Sequence, residues 1–262
     1  MLQHFRFLAL VAGFAALAAS APSFAQQAQG YVQEVGGTVT GQVGSGQPAR
    51  VGRGQTLVNN STITTGPQSY AVLKFEDGTS VLLKENTSFQ VQSYAYNARA
   101  PETASAIFNL VRGGLRMVTG LVTSRNREAL KVGTPLATIG IRGTEFVAEL
   151  VNPLFLQVIA GSVSVTNAAG VVVFTAGQIG SVAAANALGG IIPPGQVPAG
   201  VFQMPNIPLS PAPAPIPSGA VVGAGVGGTV GAGAAALAVG AAVAAGVLIA
   251  TENETSTTHH SQ

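Results

Sequence analysis

The sequence predicts an all-β protein, built as an antiparallel sandwich or β-roll. Between residues 30 and 183, runs of β-branched residues are broken about every 8 to 12 residues by Gly, Asn or Asp, which is typical of short strands joined by turns. Two alternating runs flank an Asp-Gly pair, and one Gly/Val pattern occurs twice. The periodicity typical of helices is almost absent from this region.

Residues 1–25 are predicted to form a cleavable signal peptide. A short basic start precedes an apolar run over residues 7–19, and the small residues Ser23 and Ala25 occupy the −3 and −1 positions of a cleavage site. An uncleaved anchor is the alternative, but the run is shorter than the roughly 20 residues that a spanning helix needs. We therefore expect an exported protein of the periplasm or cell envelope, whose fold contains no disulfide because the chain has no Cys.

Residues 26–183 are predicted to form the β domain. Its clearest element is a hairpin with strands near 70–75 and 79–84, because Asp77-Gly78 between them supplies the positive φ angles that a tight turn requires. Further strands are predicted at SFQVQSY, NLVRGGLRMVTG, LKVGTPLATIGI, EFVAELV, FLQVIAGSVSVT and GVVVFTAG.

A pattern of glycines indicates internal repetition. VQEVGGTVTG followed by VGRGQTLV parallels LQVIAGSVSVT followed by FTAGQIGSV; Gly37 and Gly54 are 17 residues apart, and Gly161 and Gly177 are 16 apart. The pattern favours a duplicated β-roll or short solenoid-like turns. Chance recurrence in a chain with 34 glycines is the alternative.

Three segments of different composition follow the β domain. Residues 184–218 are rich in Pro, which fixes φ and removes a hydrogen-bond donor, and they predict an extended linker of polyproline type. Residues 219–250 are uncharged and rich in Gly and Ala, and they predict a hydrophobic helix. This helix would cross a membrane, or act as a glycine zipper at a membrane or between copies; a disordered tail is the third reading. Residues 251–262 form a polar tail.

The motif TPLATIGIRGTEF, residues 134–146, places two charges around two glycines in an apolar run. We interpret Arg142, Gly143, Thr144 and Glu145 as a buried or half-buried structural clasp. In this interpretation Arg142 forks onto a carboxylate, or onto carbonyls that the turn leaves unpaired. Ligand contact by these residues is the second interpretation.

Basic residues are concentrated before and within this motif. From residue 99 to residue 142 there are seven Lys and Arg against two Glu. The candidate anion-binding residues are Arg112, Arg116, Arg125, Arg127 and Lys131. Such a patch suits an anionic glycan, lipopolysaccharide phosphates or the acidic face of a partner protein, and an ordinary solvated surface is the alternative. Nucleic acid is not an expected partner, because no aromatic residues alternate with these cations to stack on bases.

Three motifs carry a resemblance to a known family. TITTGPQSYAVLKFEDGTSVLLKENTSFQV, LVRGGLRMVTG and VGTPLATIGIRGTEFVAE together resemble the FecR domain, a periplasmic module named for a regulator of ferric-citrate uptake. The matching features are Thr65-Gly66, Asp77-Gly78-Thr79, Gly114-Leu115-Arg116 and Thr134 to Thr144. The resemblance covers about residues 50–150. It implies an envelope-located all-β module that binds or docks, here without the anti-sigma segment of the best-known member.

The residues of the chain do not indicate an enzyme. The predicted β domain contains no His for acid-base chemistry. Glu145 and Glu149 would lie on the same side of a strand about 13 Å apart, and the neighbours Glu76 and Asp77 would point to opposite sides or lie in the turn. Neither arrangement suits a catalytic carboxylate pair. We expect no cofactor and no metal, because the two adjacent histidines of the tail lack further ligands.

We therefore expect a non-enzymatic exported cell-envelope protein whose FecR-like domain is a sensing, ligand-binding or docking module. Its partner would be a protein or an envelope polymer. One alternative is a transmembrane signal transducer of the iron-citrate regulator type, in which residues 219–250 relay the ligand state. Another is a self-assembling structural protein of the envelope or surface, in which the same segment joins copies.

Overall fold

The computed structural model describes residues 28–213, 216–217 and 221–222, which belong to one compact unit. The predicted signal peptide, nearly all of the Gly/Ala-rich segment and the polar tail lie outside the described residues. No helix in the described ranges is long and apolar enough to cross a membrane.

The described residues form 17 strands and three single-turn 3-10 helices, at Pro101–Thr103, Leu121–Thr123 and Pro194–Gln196. The strands are β1 (Gly30–Gly36), β2 (Val39–Val43), β3 (Ala49–Arg50), β4 (Thr56–Leu57), β5 (Ser61–Thr65), β6 (Tyr70–Phe75), β7 (Ser80–Leu83), β8 (Ser88–Ala95), β9 (Ser105–Val118), β10 (Leu130–Gly133), β11 (Thr138–Ile141), β12 (Glu145–Leu150), β13 (Leu154–Ala160), β14 (Ser162–Asn167), β15 (Gly170–Thr175), β16 (Ile179–Val182) and β17 (Gly190–Ile191).

The strands pair into two layers, which confirms the predicted all-β class. The first sheet has the order β4-β1-β6-β7-β9-β12-β13-β16-β17. The second sheet has the order β3-β2-β5-β8-β9-β10-β11-β14-β15. All of these pairings are antiparallel except that of β9 with β10. Strand β9 belongs to both sheets and lies at the centre of each.

The core lies between the two sheets because the strands alternate apolar and polar side chains. In β6, for example, Ala71, Leu73 and Phe75 all point into this core. The ring of Phe108 lies 4.9 Å from that of Phe75 and 5.3 Å from that of Phe89, measured between centroids. These contacts join strands of both sheets through one aromatic cluster.

Glycines mark the points where the chain crosses from one sheet to the other. The chain passes from β1 to β2 at Gly37 and from β13 to β14 at Gly161, with φ angles of 74° and 77°. It returns to the first sheet after Gly54 and after Gly177, each with a φ angle of 83°. The two halves of the sequence echo therefore correspond to two similar passages of the chain from the first sheet to the second and back. At each crossing, a glycine adopts a backbone conformation that residues with a side chain rarely adopt.

The predicted hairpin is formed by β6 and β7, with Gly78 in the turn at a φ angle of 94°. The positive φ predicted for Asp77 is wrong, since Asp77 is not among the residues with positive φ. Asp77 is fully buried, so it does more than shape a surface turn.

The buried carboxylate of Asp77 accepts four hydrogen bonds. Its Oδ1 accepts from the Thr79 amide at 3.0 Å and from the Tyr94 hydroxyl at 2.8 Å. Its Oδ2 accepts from the Thr79 hydroxyl at 2.7 Å and from the Val122 amide at 2.9 Å. The carboxylate thus joins the hairpin to β8 and to the segment that follows β9, and the four donors satisfy its buried oxygens.

Residues 200–213, here called the strap, lie along the outer face of the first sheet. Lys74 is buried beneath the strap, where its Nζ donates to Gly78 O and Ser80 Oγ, both at 2.9 Å, and to Ser210 O. The three ammonium hydrogens therefore have three acceptors. Burial lowers the pKa of Lys74, and the charge of Asp77 partly opposes this effect.

A second contact holds the start of the strap. Glu149 accepts a hydrogen bond from Lys84 at 2.7 Å through one oxygen and from the Phe202 amide at 2.9 Å through the other. The Phe202 ring packs edge-on against Phe155, with centroids 6.5 Å apart. The segment predicted as a spacer, residues 184–218, therefore includes a stretch that packs on the sheet, because buried charges and an aromatic ring hold it there.

Tyr94 provides a pH test of the buried network. Burial, followed by the charge of Asp77, raises the Tyr94 pKa above its ordinary value of 10.0. The folded phenol keeps its proton where the unfolded phenol loses it, so this stabilisation is complete below pH 10.0 and is lost as the pH rises further. We expect Tyr94→Phe to reduce the alkaline slope of the unfolding free energy by up to about 1.4 kcal/mol per pH unit. Urea unfolding between pH 9 and 11 measures this slope; identical slopes in wild type and variant would contradict the raised pKa.

Candidate functional site

A groove crosses the outer face of the second sheet where β10, β11 and β14 lie side by side. Lys131 of β10 is opposite Gly140 of β11, and Gly140 is opposite Ser164 of β14. Because Gly140 has no side chain, it leaves a trough between its two neighbours. A Cβ atom at Gly140 would lie 2.6 Å from Ser164 Oγ. The cavity has a volume of about 360 Å³.

The local sequence explains why polar groups face this groove. In β11 the side chains of Ile139 and Ile141 are buried in the core, so the alternate residues Thr138, Gly140 and Arg142 face outward. The same alternation in β14 directs Ser164 and Thr166 to the groove, with Val163 and Val165 in the core.

Three cations surround the groove, namely Arg127 in the loop before β10, Lys131 in β10 and Arg142 after β11. All three side chains are exposed. Both ion pairs found among the described residues lie on the first sheet and involve none of these cations. Glu128 is the single acidic residue in the described lining, so the lining carries a formal charge of +2.

The predicted anion-binding residues do not form one surface. Arg127 and Lys131 line the groove. Arg116 forms an ion pair with Glu145 on the first sheet, where its Nε donates to Oε1 at 2.8 Å. Arg112 and Arg125 are exposed and are not part of the groove lining.

Arg142 and Glu145 do not form the predicted buried or half-buried clasp, because Arg142 is exposed and the chain changes sheets between these residues. Gly143, at a φ angle of 71°, begins the crossing from β11 to β12. Arg142 therefore faces outward from the second sheet, and Glu145 faces outward from the first, where it pairs with Arg116. The crossing is held instead by Thr144, whose backbone amide donates to Thr119 Oγ1 at 2.8 Å.

The polar floor of the groove was not predicted as a site; it is formed by Thr138, Gly140, Ser164 and Thr166. The signal was present in TIGIRG and SVSVT, where small polar residues alternate with branched apolar ones. Periodicity identifies such outward-facing positions, but it does not show that β11 pairs with β14.

The arrangement is suited to binding an anion. Guanidinium groups donate paired hydrogen bonds to phosphate, sulfate or carboxylate oxygens, and the neighbouring hydroxyls add single donors. Metal binding has no such basis in the described residues, where no three acidic, His or Cys side chains cluster.

A second cavity, of about 410 Å³, lies between the strap and the β6–β7 hairpin. Its lining includes Lys84 and Glu85, so its charges are mixed, and Lys84 is already paired with Glu149. The groove on the second sheet is therefore the better candidate for a charged partner.

Comparison with known proteins identifies part of the chain. Residues 61–164 match the family model described as FecR protein, so the chain contains a FecR domain, as its motifs predicted. The groove residues from Arg127 to Ser164 fall within this match. No curated protein matches the chain.

Two crystal structures of a candidate anti-sigma factor from Parabacteroides distasonis ATCC 8503 are similar to this chain, with 15% and 16% sequence identity and a TM-score of 0.40 for each. Each alignment covers 50% of this chain and 58% of the other protein. The chain thus spans somewhat more than half the length of these relatives.

The stability of the Arg142→Ala variant distinguishes a ligand-binding role of Arg142 in the groove from a structural role in a clasp. Because Arg142 is exposed and outside both ion pairs of the described residues, we expect its loss to change the unfolding free energy by less than about 0.5 kcal/mol. Thermal unfolding of wild type and variant measures this, with Lys131→Ala as a second groove variant. A fall of several degrees for Arg142→Ala alone would return Arg142 to a structural role.

Proposed function

We propose that this chain is a non-enzymatic protein of the bacterial cell envelope whose FecR domain docks an anionic partner in the groove of the second sheet. The predicted signal peptide supports export to the periplasm or envelope. The partner would carry phosphate, sulfate or carboxylate groups, as an anionic glycan, lipopolysaccharide or an acidic protein segment does.

The observation that carries this proposal is a group of three cations around a polar trough, none of which forms an ion pair with a described residue. Exposed Lys and Arg are common, but here Arg127, Lys131 and Arg142 converge on one cavity from three different segments. The missing side chain at Gly140 deepens the trough between them. Positive charges clustered in one cleft attract anions and accelerate their association.

The surroundings of three acidic residues favour a docking function over an enzymatic one. Glu145 is paired with Arg116, and Glu149 is paired with Lys84 and with the strap. The Asp77 carboxylate is fully buried, with four donors around it. The described β domain contains no His. These three carboxylates thus have structural partners, whereas the groove cations form no ion pair within the part of the chain that the structure describes.

The strap favours signal transduction as a second candidate function. It packs on the first sheet through Phe202 and Ser210, and in the sequence it precedes the predicted membrane segment, residues 219–250. In this candidate, binding at the groove would loosen or tighten residues 200–213. Amide hydrogen exchange of the strap that is unchanged by a bound polyanion would argue against it.

Anion binding can be measured with dextran sulfate and with inorganic phosphate as probes. We expect Lys131→Gln/Arg142→Gln to weaken dextran sulfate binding by about tenfold or more, since each lost charge-assisted contact contributes roughly 1–2 kcal/mol. Isothermal titration calorimetry at two salt concentrations measures the affinity and its salt dependence.

Arg53→Gln/Arg112→Gln is the matched control, because both residues are exposed, lie outside the groove and change the net charge equally. It should retain most of the wild-type affinity. Equal losses in the two double variants would show that net charge, and not the groove, accounts for binding.

A further inference from the structure

The two sheets end in four edge strands, and three of these are short or covered. Strands β3 and β17 have two residues each, and β3 ends in Arg50. Strand β4 is joined by residues 221–222, where the Val222 amide donates to Thr56 O at 2.9 Å. Within the described ranges, the six-residue strand β15 pairs with β14 alone. Among the described residues, the second sheet therefore ends in an edge that is open at Val171 and Val173, while Gln178 caps Thr175.

The backbone of β15 presents free hydrogen-bonding groups at this edge. The Ala176 amide donates to Gly161 O in the direction of β14, so by alternation Phe174 and Val172 also face β14. The amides and carbonyls of Val171 and Val173 then face the open edge. Their side chains are 60% and 47% exposed on the outer face.

Strand β15 lacks three of the features that usually protect an edge. It contains no Pro and no charged residue, and its pairing with β14 shows no register shift. The absence of charge extends well beyond the strand, because the sequence has no Asp, Glu, Lys or Arg from Val151 to Thr251. An edge of this kind is a template for adding another strand.

We propose that β15 is an interface for a second copy of this chain, which adds its own β15 in antiparallel orientation. Two identical antiparallel strands are related by a two-fold axis, so each presents to the other the groups that it requires. With the axis at Val172, Val171 of each copy lies opposite Val173 of the other. Four exposed valines then pack together, and the uncharged surroundings place no like charges against each other.

The paired copies would present two anion-binding grooves on one continuous sheet, an extension that rests on the proposed function. The outer faces lie on the same side, because the two-fold axis is perpendicular to the sheet. From β11 of one copy to β11 of the other there are five strand spacings, or about 24 Å. A repeating polyanion could then occupy both grooves, which raises the overall affinity without new contacts.

The first test measures self-association of the signal-processed chain without any anion, by sedimentation equilibrium over a range of concentrations. We expect a monomer–dimer equilibrium in wild type and at least a tenfold weaker association in Val173→Lys. Val111→Lys is the matched control, since Val111 is 51% exposed but lies in β9, at the centre of the sheet, and it should associate as wild type. Association unaffected by Val173→Lys would overturn the proposal and point to another segment.

The second test identifies the contact itself and uses the absence of Cys from the chain. Mild oxidation of Val171→Cys mixed with Val173→Cys should give covalent mixed dimers much faster than Val111→Cys gives dimers. Equal rates, or a monomer whose cysteine at position 173 is protected from thiol reagents, would contradict the interface; the second result would assign this edge to a segment of the same chain. Failure of anion binding would leave both tests unaffected.

Discussion

Strand β9 is the constraint on which the rest of the structure depends, because one strand lies at the centre of two sheets. Residues 105–112 pair within the second sheet, and residues 113–118 pair within the first. The strand must turn between layers at Gly113, where the φ angle is 82°. A Cβ atom there would lie 2.6 Å from Thr87 Cα. Thr87 also binds the turn directly, since its Oγ1 accepts from the Gly114 amide at 3.0 Å.

The repeated crossings give the molecule two outer faces with different properties. The first sheet carries the paired charges Lys84–Glu149 and Arg116–Glu145, and the strap covers part of this face. The second sheet carries cations that have no such partner in the described ranges, beside small polar side chains. The crossing at Gly143 separates Arg142 from Glu145 and assigns them to these two faces. The candidate site is thus a consequence of how the chain changes sheets.

Local sequence patterns were sufficient to predict the all-β class, the β6–β7 hairpin and the two similar glycine crossings, because side-chain alternation and turn preferences depend on only a few neighbouring residues. The partners of charged groups were not predictable in the same way. Glu145 pairs with Arg116, 29 residues away, and Lys74 is capped by Ser210, 136 residues away. The predicted clasp placed Arg142 and Glu145 together around one turn, and only the strand order shows that Glu145 lies on the other face.

The most direct test of the shared-strand account is the stability of Gly113→Ala compared with Gly52→Ala. A Cβ atom at Gly52 would meet nothing within 4 Å, so this variant controls for the loss of a glycine. The account predicts that Gly113→Ala lowers the unfolding free energy by about 2–5 kcal/mol and the thermal midpoint by roughly 5–15 °C. It predicts a change below about 1 kcal/mol for Gly52→Ala. Equal midpoints for the two variants, measured by calorimetry, would show that the two sheets do not depend on the turn in β9.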